Sequence, residues 1–100
     1  MAILNTKIVS GELVGVTSAT QLPDIACNRV TLKAEAANPT FVYLGGAGVT
    51  KKDGSTDATT GIQLDASEQI TVEISNLNLL YRICDATGDV LTYVAETSAA

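Results

Sequence analysis

Two segments of this chain alternate strictly between apolar and polar residues, a pattern that predicts β-strands. They are 29–35 and 69–75, and each alternates over its whole length. Because successive side chains of a strand point to opposite faces, such a segment presents an apolar face to a core and a polar face to water. We therefore expect one set of apolar residues in these strands to be buried: Val30, Leu32, Ile70, Val72 and Ile74.

Six further segments have weaker strand patterns and are separated by residues that favour turns. They are 7–16, 20–26, 41–44, 61–64, 80–85 and 90–95. Short strands at regular spacing are typical of sandwiches and barrels, whereas βαβ units would need long helical segments. The predicted fold is all-β, a single small antiparallel β-sandwich or jelly-roll-like barrel of about eight strands. We expect 86–89 to be a hairpin turn, with Gly88 where such a turn needs positive φ.

The length of 100 residues predicts one domain. We expect an N-terminal arm over 1–6, the β-sandwich domain over 7–96 and a C-terminal tail over 97–100, because chain ends without a strong pattern are usually less ordered. The chain also has more apolar residues than one small core obviously needs, and some of them are expected to face partners. This set is Ile3, Leu4, Leu13, Val14, Leu77, Leu79 and Leu80; the alternative is that they are ordinary core residues.

The charge balance limits the classes of partner and of chemistry. Eleven acidic residues against six basic ones give a net charge of −5, so we expect no nucleic acid and no membrane as partner, because phosphate binding needs a basic surface. The chain has no histidine, which excludes every mechanism built on imidazole. No stretch reaches the roughly 20 apolar residues of a membrane-spanning helix, and the N-terminus lacks the pattern of a secretory signal. We expect synthesis in a cytoplasm and no enzymatic activity.

The two cysteines, Cys27 and Cys84, are too few and too widely spaced for a zinc site. We expect two buried, reduced thiols that behave as small apolar side chains. A disulfide between two strands is the alternative. A reactive thiol is a third possibility, although no histidine is present to activate it.

Three polar stretches resemble ligand sites in residue type but lack the spacing of one. The oxygen-rich stretch 53–57 would suit calcium, yet it has no EF-hand pattern, and we predict an exposed polar loop. The glycine-rich stretch 45–48 is not followed by the lysine of a phosphate loop, and a turn is expected there. Asp65 and Glu68 lie in a predicted turn and lack the aromatic platform of a sugar-cleaving groove.

The tyrosines Tyr43, Tyr81 and Tyr93 could together form a stacking platform for sugars or bases. At strand spacing, however, tyrosines are more often partly buried with the hydroxyl group at the rim. Taken with the polar stretches, these residues predict no catalytic residue, no cofactor and no metal.

Short motifs follow one another in a characteristic order in two long segments. The segment 18–50 contains Cys-x-Arg-Val-Thr, then Asn-Pro, then Val-Tyr-Leu-Gly-Gly. The segment 59–94 adds Thr-Gly-Ile-Gln-Leu, an acidic turn, Ile-Thr-Val-Glu-Ile, Asn-Leu-Asn, Leu-Tyr and a final pair of strands. This order, which covers most of the chain, resembles the capsid decoration (cement) proteins of tailed bacteriophages.

The resemblance implies a structural virion protein on the capsid surface, with a compact β-sandwich fold. Such proteins decorate the outside of a shell as symmetric oligomers and bridge neighbouring major capsid subunits. The expected partners are therefore the major capsid protein and further copies of this chain, as a homotrimer or a homodimer. The family has no catalytic residues to carry over. The alternative function is a carbohydrate- or receptor-binding β-sandwich module of a phage fibre or a bacterial surface protein.

The N-terminal arm is the predicted contact with the capsid. Ile3 and Leu4 are apolar, whereas Asn5 and Thr6 are residues that can pair with the edge of a strand. An arm of this kind would add a strand to the exposed edge of a neighbouring shell subunit. The alternative is a tail without a function.

Overall fold

A computed structural model describes residues 5–51 and 60–99, which form two four-stranded antiparallel sheets packed face to face. The strands are β1 (Asn5–Val14), β2 (Thr20–Gln21), β3 (Arg29–Ala34), β4 (Val42–Gly45), β5 (Ile62–Leu64), β6 (Gln69–Val72), β7 (Tyr81–Cys84) and β8 (Val90–Ala99). The first sheet has the strand order β1-β8-β3-β6, and the second has the order β2-β7-β4-β5. A single 3₁₀ turn, Leu77–Leu79, precedes β7 in the described part of the chain, and the side chain of Asn76 caps its start.

The strand pairs are nested around the loop between β4 and β5. β4 pairs with β5, β3 with β6, β2 with β7 and β1 with β8, and every pair is antiparallel. The chain is therefore one long hairpin folded over into two layers, which is the jelly-roll arrangement of a β-sandwich. The predicted all-β fold of about eight strands is confirmed, and the two described sheets remain open rather than closing into a barrel.

The core lies between the two sheets and is formed mainly by their central strands. Val30 and Leu32 of β3 are completely buried, as the alternation predicted. Leu91 of β8 lies on the same inward face of the first sheet, and Val42 of β4 faces it from the second sheet. Burial of side chains of this size, at roughly 1.5–3 kcal/mol each, is the main stabilising contribution to such a small domain.

Ile70, Val72 and Ile74 are only half-buried, which corrects the prediction that all three are buried. They pack against the core on the predicted side. β6 is an edge of the first sheet, so each of its inward side chains lacks a neighbouring strand on one side. Ile74 lies beyond the end of β6.

β1 begins and ends two residues earlier than predicted, β8 continues four residues further than predicted, and the two strands form a two-stranded ribbon. Asn5 pairs with Ala99 and Thr6 with Ser98, so the strands continue past the domain limits of 7 and 96 expected from the sequence. β3 pairs with β8 only as far as Glu96. Within the described ladder, residues 5–7 and 97–99 thus pair with each other and with no third strand. Their mutual backbone pairing gives order that the side-chain pattern does not show.

The link 86–89 is not the predicted hairpin turn, because β7 and β8 lie in different sheets and the link crosses from one to the other. No described glycine has positive φ; Ser67, at 71°, is the described residue that does. The carboxylate of Asp89 is completely buried. It accepts hydrogen bonds from the backbone N–H groups of Thr40 at 2.9 Å and Ala86 at 3.2 Å, and from the Thr40 hydroxyl. Asp89 therefore ties the link to the chain just before β4.

Candidate interaction surfaces

The two layers leave one pair of strand edges on each side of the sandwich. β1 and β2 are the edges on one side, and β6 and β5 are the edges on the other. β1 has ten residues, whereas the other three edge strands have between two and four. A long edge strand presents a row of backbone N–H and C=O groups to which another chain can pair. β1 is therefore the leading candidate for contact with a partner.

The additional apolar residues are divided between the core and the surface. Leu77 is completely buried, and Leu13 and Leu80 are half-buried against the core. Val14 and Leu79 are more than half exposed. The expectation that some of this set face outward therefore holds for two of its described members, and one of them lies on β1.

Two of the predicted capsid-contact residues 3–6 lie at the start of this edge. Ile3 and Leu4 lie outside the described residues. Asn5 and Thr6 belong to β1, and their backbones pair with β8 of the same chain. These two residues therefore have one side paired already, and their other side continues the edge of β1.

An apolar groove of about 410 Å³ opens on the opposite side of the sandwich, between the edges of β5 and β6. Its apolar side chains are Leu44 and Ile62 from the second sheet, Ile70 and Val72 from the first, and Leu80. Its lining contains no charged residue. The groove suits an apolar segment better than a charged ligand.

The outer face of the first sheet is mostly polar. Arg29 of β3 forms an ion pair with Glu96 of β8, with 2.6 Å between Nε and Oε2. The hydrogen bond from Arg29 lowers the pKa of the Glu96 carboxyl group. Beside this pair, the hydroxyl groups of Thr31 and Thr71 lie 3.0 Å apart across β3 and β6. Exposed cross-strand pairs of this kind stabilise a sheet only slightly.

The three tyrosines do not form one platform. Tyr43 and Tyr81 belong to a cluster on the second sheet, whereas Tyr93 packs into the main core. Tyr43 is completely buried, and its hydroxyl group donates a hydrogen bond to Oδ2 of Asp85 at 3.2 Å. The stacking surface that the three rings could have formed together is therefore absent from the described structure.

The side chains of Asp65 and Glu68 accept backbone hydrogen bonds that hold a turn. The backbone N–H of Asp65 donates to Oε1 of Glu68 at 2.7 Å, and that of Ala66 donates to Oδ1 of Asp65 at 2.8 Å. The glycine-rich stretch 45–48 also turns, with a 3.0 Å hydrogen bond from Val49 N to the carbonyl of Gly46. Both stretches have the structural role that we expected.

The oxygen-rich stretch 53–57 lies outside the described residues. Within residues 5–51 and 60–99, no group of three or more Asp, Glu, Cys or His side chains could hold a metal ion. The same part of the chain contains no helix that is long and apolar enough to cross a membrane.

Cys27 and Cys84 are both buried and are not joined by a disulfide. Burial raises the pKa of each thiol group. The Sγ atom of Cys27 donates a hydrogen bond to the carbonyl oxygen of Ile74 at 3.2 Å. A protonated, enclosed thiol is a poor nucleophile, so the structure agrees with the expected pair of buried thiols.

Arg82 is a buried charged residue that the sequence analysis did not identify. Its side chain is only 6% exposed, and its Nη2 donates to the carbonyl oxygen of Val14 at 3.1 Å. The Nε atom has no hydrogen-bond partner among the described atoms. Burial lowers the pKa of this guanidinium group. The sequence offers only one signal, a single charge within the otherwise apolar and aromatic strand 81–84.

Comparison with known proteins identified no relative of this chain. A scan against protein-family models, a search of curated proteins and a search of solved structures each found no match to this chain.

Proposed function

We propose that this chain is a structural virion protein that decorates the outside of a phage capsid and stabilises it by bridging major capsid subunits. The observation that carries the proposal is the ribbon at the ends of β1 and β8. Residues 5–7 and 97–99 pair with each other past the end of β3, so this end of the β1–β8 pair projects beyond the neighbouring strand. A rigid domain with a projecting strand is suited to joining neighbouring subunits.

The residues before this ribbon supply the contact with the shell. Ile3 and Leu4 immediately precede Asn5, the first residue of β1. Pairing with the exposed strand edge of a shell subunit would satisfy the backbone of the arm, while the two apolar side chains enter a pocket of that subunit. Repetition of this contact around a symmetry axis requires several equivalent copies, as in a homotrimer or a homodimer.

The surface of the chain supports this role. A net charge of −5 favours solubility before assembly in the host cytoplasm, and the final location is the capsid surface. A carbohydrate- or receptor-binding module would need an open aromatic surface, whereas Tyr43 is completely buried. The burial of Tyr43 therefore argues against the alternative function.

Binding to shells assembled from the major capsid protein of the same virus tests the proposal. Purified chain is mixed with shells that lack it, and co-sedimentation gives the bound amount and the affinity. Binding at regular surface positions in electron micrographs is the expected result. If the intact chain does not bind, the decoration proposal is wrong.

Two variants separate the arm from the rest of the surface. Deletion of residues 1–4 preserves β1 and should weaken binding at least about tenfold, because the apolar contact is lost. The control is Lys33→Glu, which reverses a charge at an exposed position of β3 outside the arm and the groove. This control should bind like the parent chain. Unchanged binding of the deletion variant would refute the arm contact alone.

A further inference from the structure

The backbone of β1 offers its hydrogen-bonding groups to the free edge at alternate residues. In an antiparallel ladder, the N–H and C=O groups of one residue point to the same side, and that side alternates along the strand. The carbonyl groups of Val90 and Glu96 accept hydrogen bonds from Glu35 and Asn28, so the even-numbered residues of β8 point away from β1. Their partners in β1 are also even-numbered and therefore point to the free edge: Ile8, Ser10, Glu12 and Val14.

The side chains of β1 have a symmetric distribution about Gly11. Ile8 and Val14 each lie three positions from it, and they are the two most exposed large apolar residues in the described chain, at 62% and 65%. Val9 and Leu13 each lie two positions from Gly11, and both are half-buried at the edge of the core. If a second β1 runs in the opposite direction with its Gly11 opposite this one, apolar residues therefore lie opposite apolar residues.

We propose that two copies of this chain pair antiparallel through β1, with Gly11 of both copies on the twofold axis. Ile8 of one copy then lies opposite Val14 of the other, and Val9 lies opposite Leu13. Two residues at equal distance from Gly11 are an even number of positions apart, so their side chains lie on the same face of the strand. A side chain that faces the core in one copy therefore lies opposite a side chain that faces the core in the other. The first sheet of one copy and the first sheet of the other then form one continuous sheet of eight strands. The cores of both copies lie on the same face of this sheet.

Hydrogen bonding is consistent with this register. Ser10 pairs with Glu12 of the second copy and Ile8 with Val14, and all four residues direct their backbone groups to the free edge. The carbonyl oxygen of Val14 already accepts a bond from Arg82, and a carbonyl oxygen has two lone pairs, so it can accept a second bond. The pairing thus satisfies backbone groups that are otherwise left to water.

Neighbouring registers fit less well. Moving the axis from Gly11 to Glu12 places the two Glu12 carboxylates opposite each other, and like charges at such positions are destabilising. Moving it to Ser10 places Ile8 opposite Glu12, so the exposed apolar side chains no longer meet. Shifting the pairing by a single residue would turn the inward face of one copy outward. The axis at Gly11 is the register that joins both apolar pairs without opposing like charges.

This pairing goes beyond the proposed function and does not depend on it. It uses residues 8–14 of β1 and needs no shell, so it can be tested on the purified chain. Asn5, the first residue of β1, lies at an outer end of the paired strands in each copy, one at each end of the dimer.

Disulfide trapping between two single-cysteine additions tests the register. Chains with Ile8→Cys and with Val14→Cys are oxidised separately and as a mixture, and the native buried cysteines are common to all samples. Directly opposed strand residues have Cα atoms about 5.5 Å apart, within the range of a disulfide, so the mixture should give about tenfold more cross-linked dimer than either variant alone. The tryptic peptides should show the bond from residue 8 to residue 14. Equal yields in all three samples would overturn the register.

A proline substitution tests the pairing without new thiols. Ser10→Pro removes an N–H that points to the free edge and leaves the ladder with β8 intact. Light scattering of the parent chain should give a concentration-dependent mass of twice 10.3 kDa, and Ser10→Pro should give the single-chain mass. The matched control is Thr71→Pro on the free side of β6, the other edge of the same sheet, which should dimerise like the parent. A parent chain that stays monomeric at every concentration, or an unchanged Ser10→Pro dimer, would overturn the proposal.

Discussion

The phenolic oxygen of Tyr93 lies directly over Gly11, its partner across the β1–β8 ladder, and is 2.6 Å from the position that a Cβ atom would take there. The ring of Tyr93 thus occupies space that any other residue at position 11 would need. Tyr93 is itself only 8% exposed, so its ring has little freedom to move. This contact explains why a glycine stands in the middle of a long edge strand, where glycine is normally unfavourable.

Gly11→Ala should therefore destabilise the fold by about 1–3 kcal/mol through overcrowding. In a Tyr93→Leu background the same substitution should cost clearly less, because the ring has been removed. Urea unfolding of the two single variants and the double variant gives the coupling free energy. Additive effects would show that Gly11 and Tyr93 do not constrain each other.

Asp89→Asn should destabilise the protein by about 2–3 kcal/mol, because a neutral amide replaces a buried carboxylate and places an N–H₂ group against hydrogen-bond donors. The backbone N–H and hydroxyl of Thr40 are among those donors. Asp65→Asn is the control, since Asp65 is exposed and its amide can still accept through Oδ1. Thermal or urea unfolding measures both; equal losses would show that Asp89 does not hold the link 86–89.

Truncating an apolar side chain to alanine should lower the free energy of unfolding more in β3 than in β6. Leu32→Ala removes a completely buried side chain and should cost about 2–5 kcal/mol through lost transfer free energy and a cavity. Val72→Ala should cost only about 1 kcal/mol, because Val72 is partly exposed and lines the open groove between β5 and β6. Urea unfolding of the two variants tests this order. A larger loss for Val72→Ala would mean that the groove is closed in solution.

Thiol reactivity should report the burial of Cys27 and Cys84. Titration with a thiol reagent should be slow in the native protein and should yield both thiols once the chain is unfolded, whereas Ala36→Cys, at an exposed position, should react at once. Titration of only the added thiol in unfolded, unreduced protein would indicate a disulfide instead.

Because the thiol groups of Cys27 and Cys84 are buried, the free energy of unfolding should also fall at alkaline pH. Burial raises the pKa of both thiols in the folded state, so the folded protein holds these protons more tightly than the unfolded chain does. Their stabilising effect is complete below the unfolded thiol pKa of about 8.5 and is lost as the pH rises through the folded values. Urea unfolding between about pH 8 and 9.5 measures how steeply the free energy of unfolding falls with pH. Replacing both cysteines by alanine should flatten it.

The amino-acid pattern alone located the eight strands and much of their orientation, although the predicted strands 20–26 and 69–75 are shorter in the structure, Thr20–Gln21 and Gln69–Val72. Alternation in 29–35 correctly predicted that Val30 and Leu32 face the core, because a period of two is a local property that any pairing partner preserves. Turn residues also located the breaks between strands. The same local signal could not show that β6 is an edge strand, and Val72 is half-buried for that reason.

The tertiary structure decided which strands meet and which groups are enclosed. The link 86–89 has the residues of a hairpin, yet it crosses between sheets because β7 pairs with β2 and β4, and β8 pairs with β1 and β3. Asp89 and Arg82 are buried because chain segments that are distant in sequence cover them. The exposure of Ile8 and Val14 likewise depends on β1 being an edge, which follows from the long-range order of the strands and not from the residues of β1.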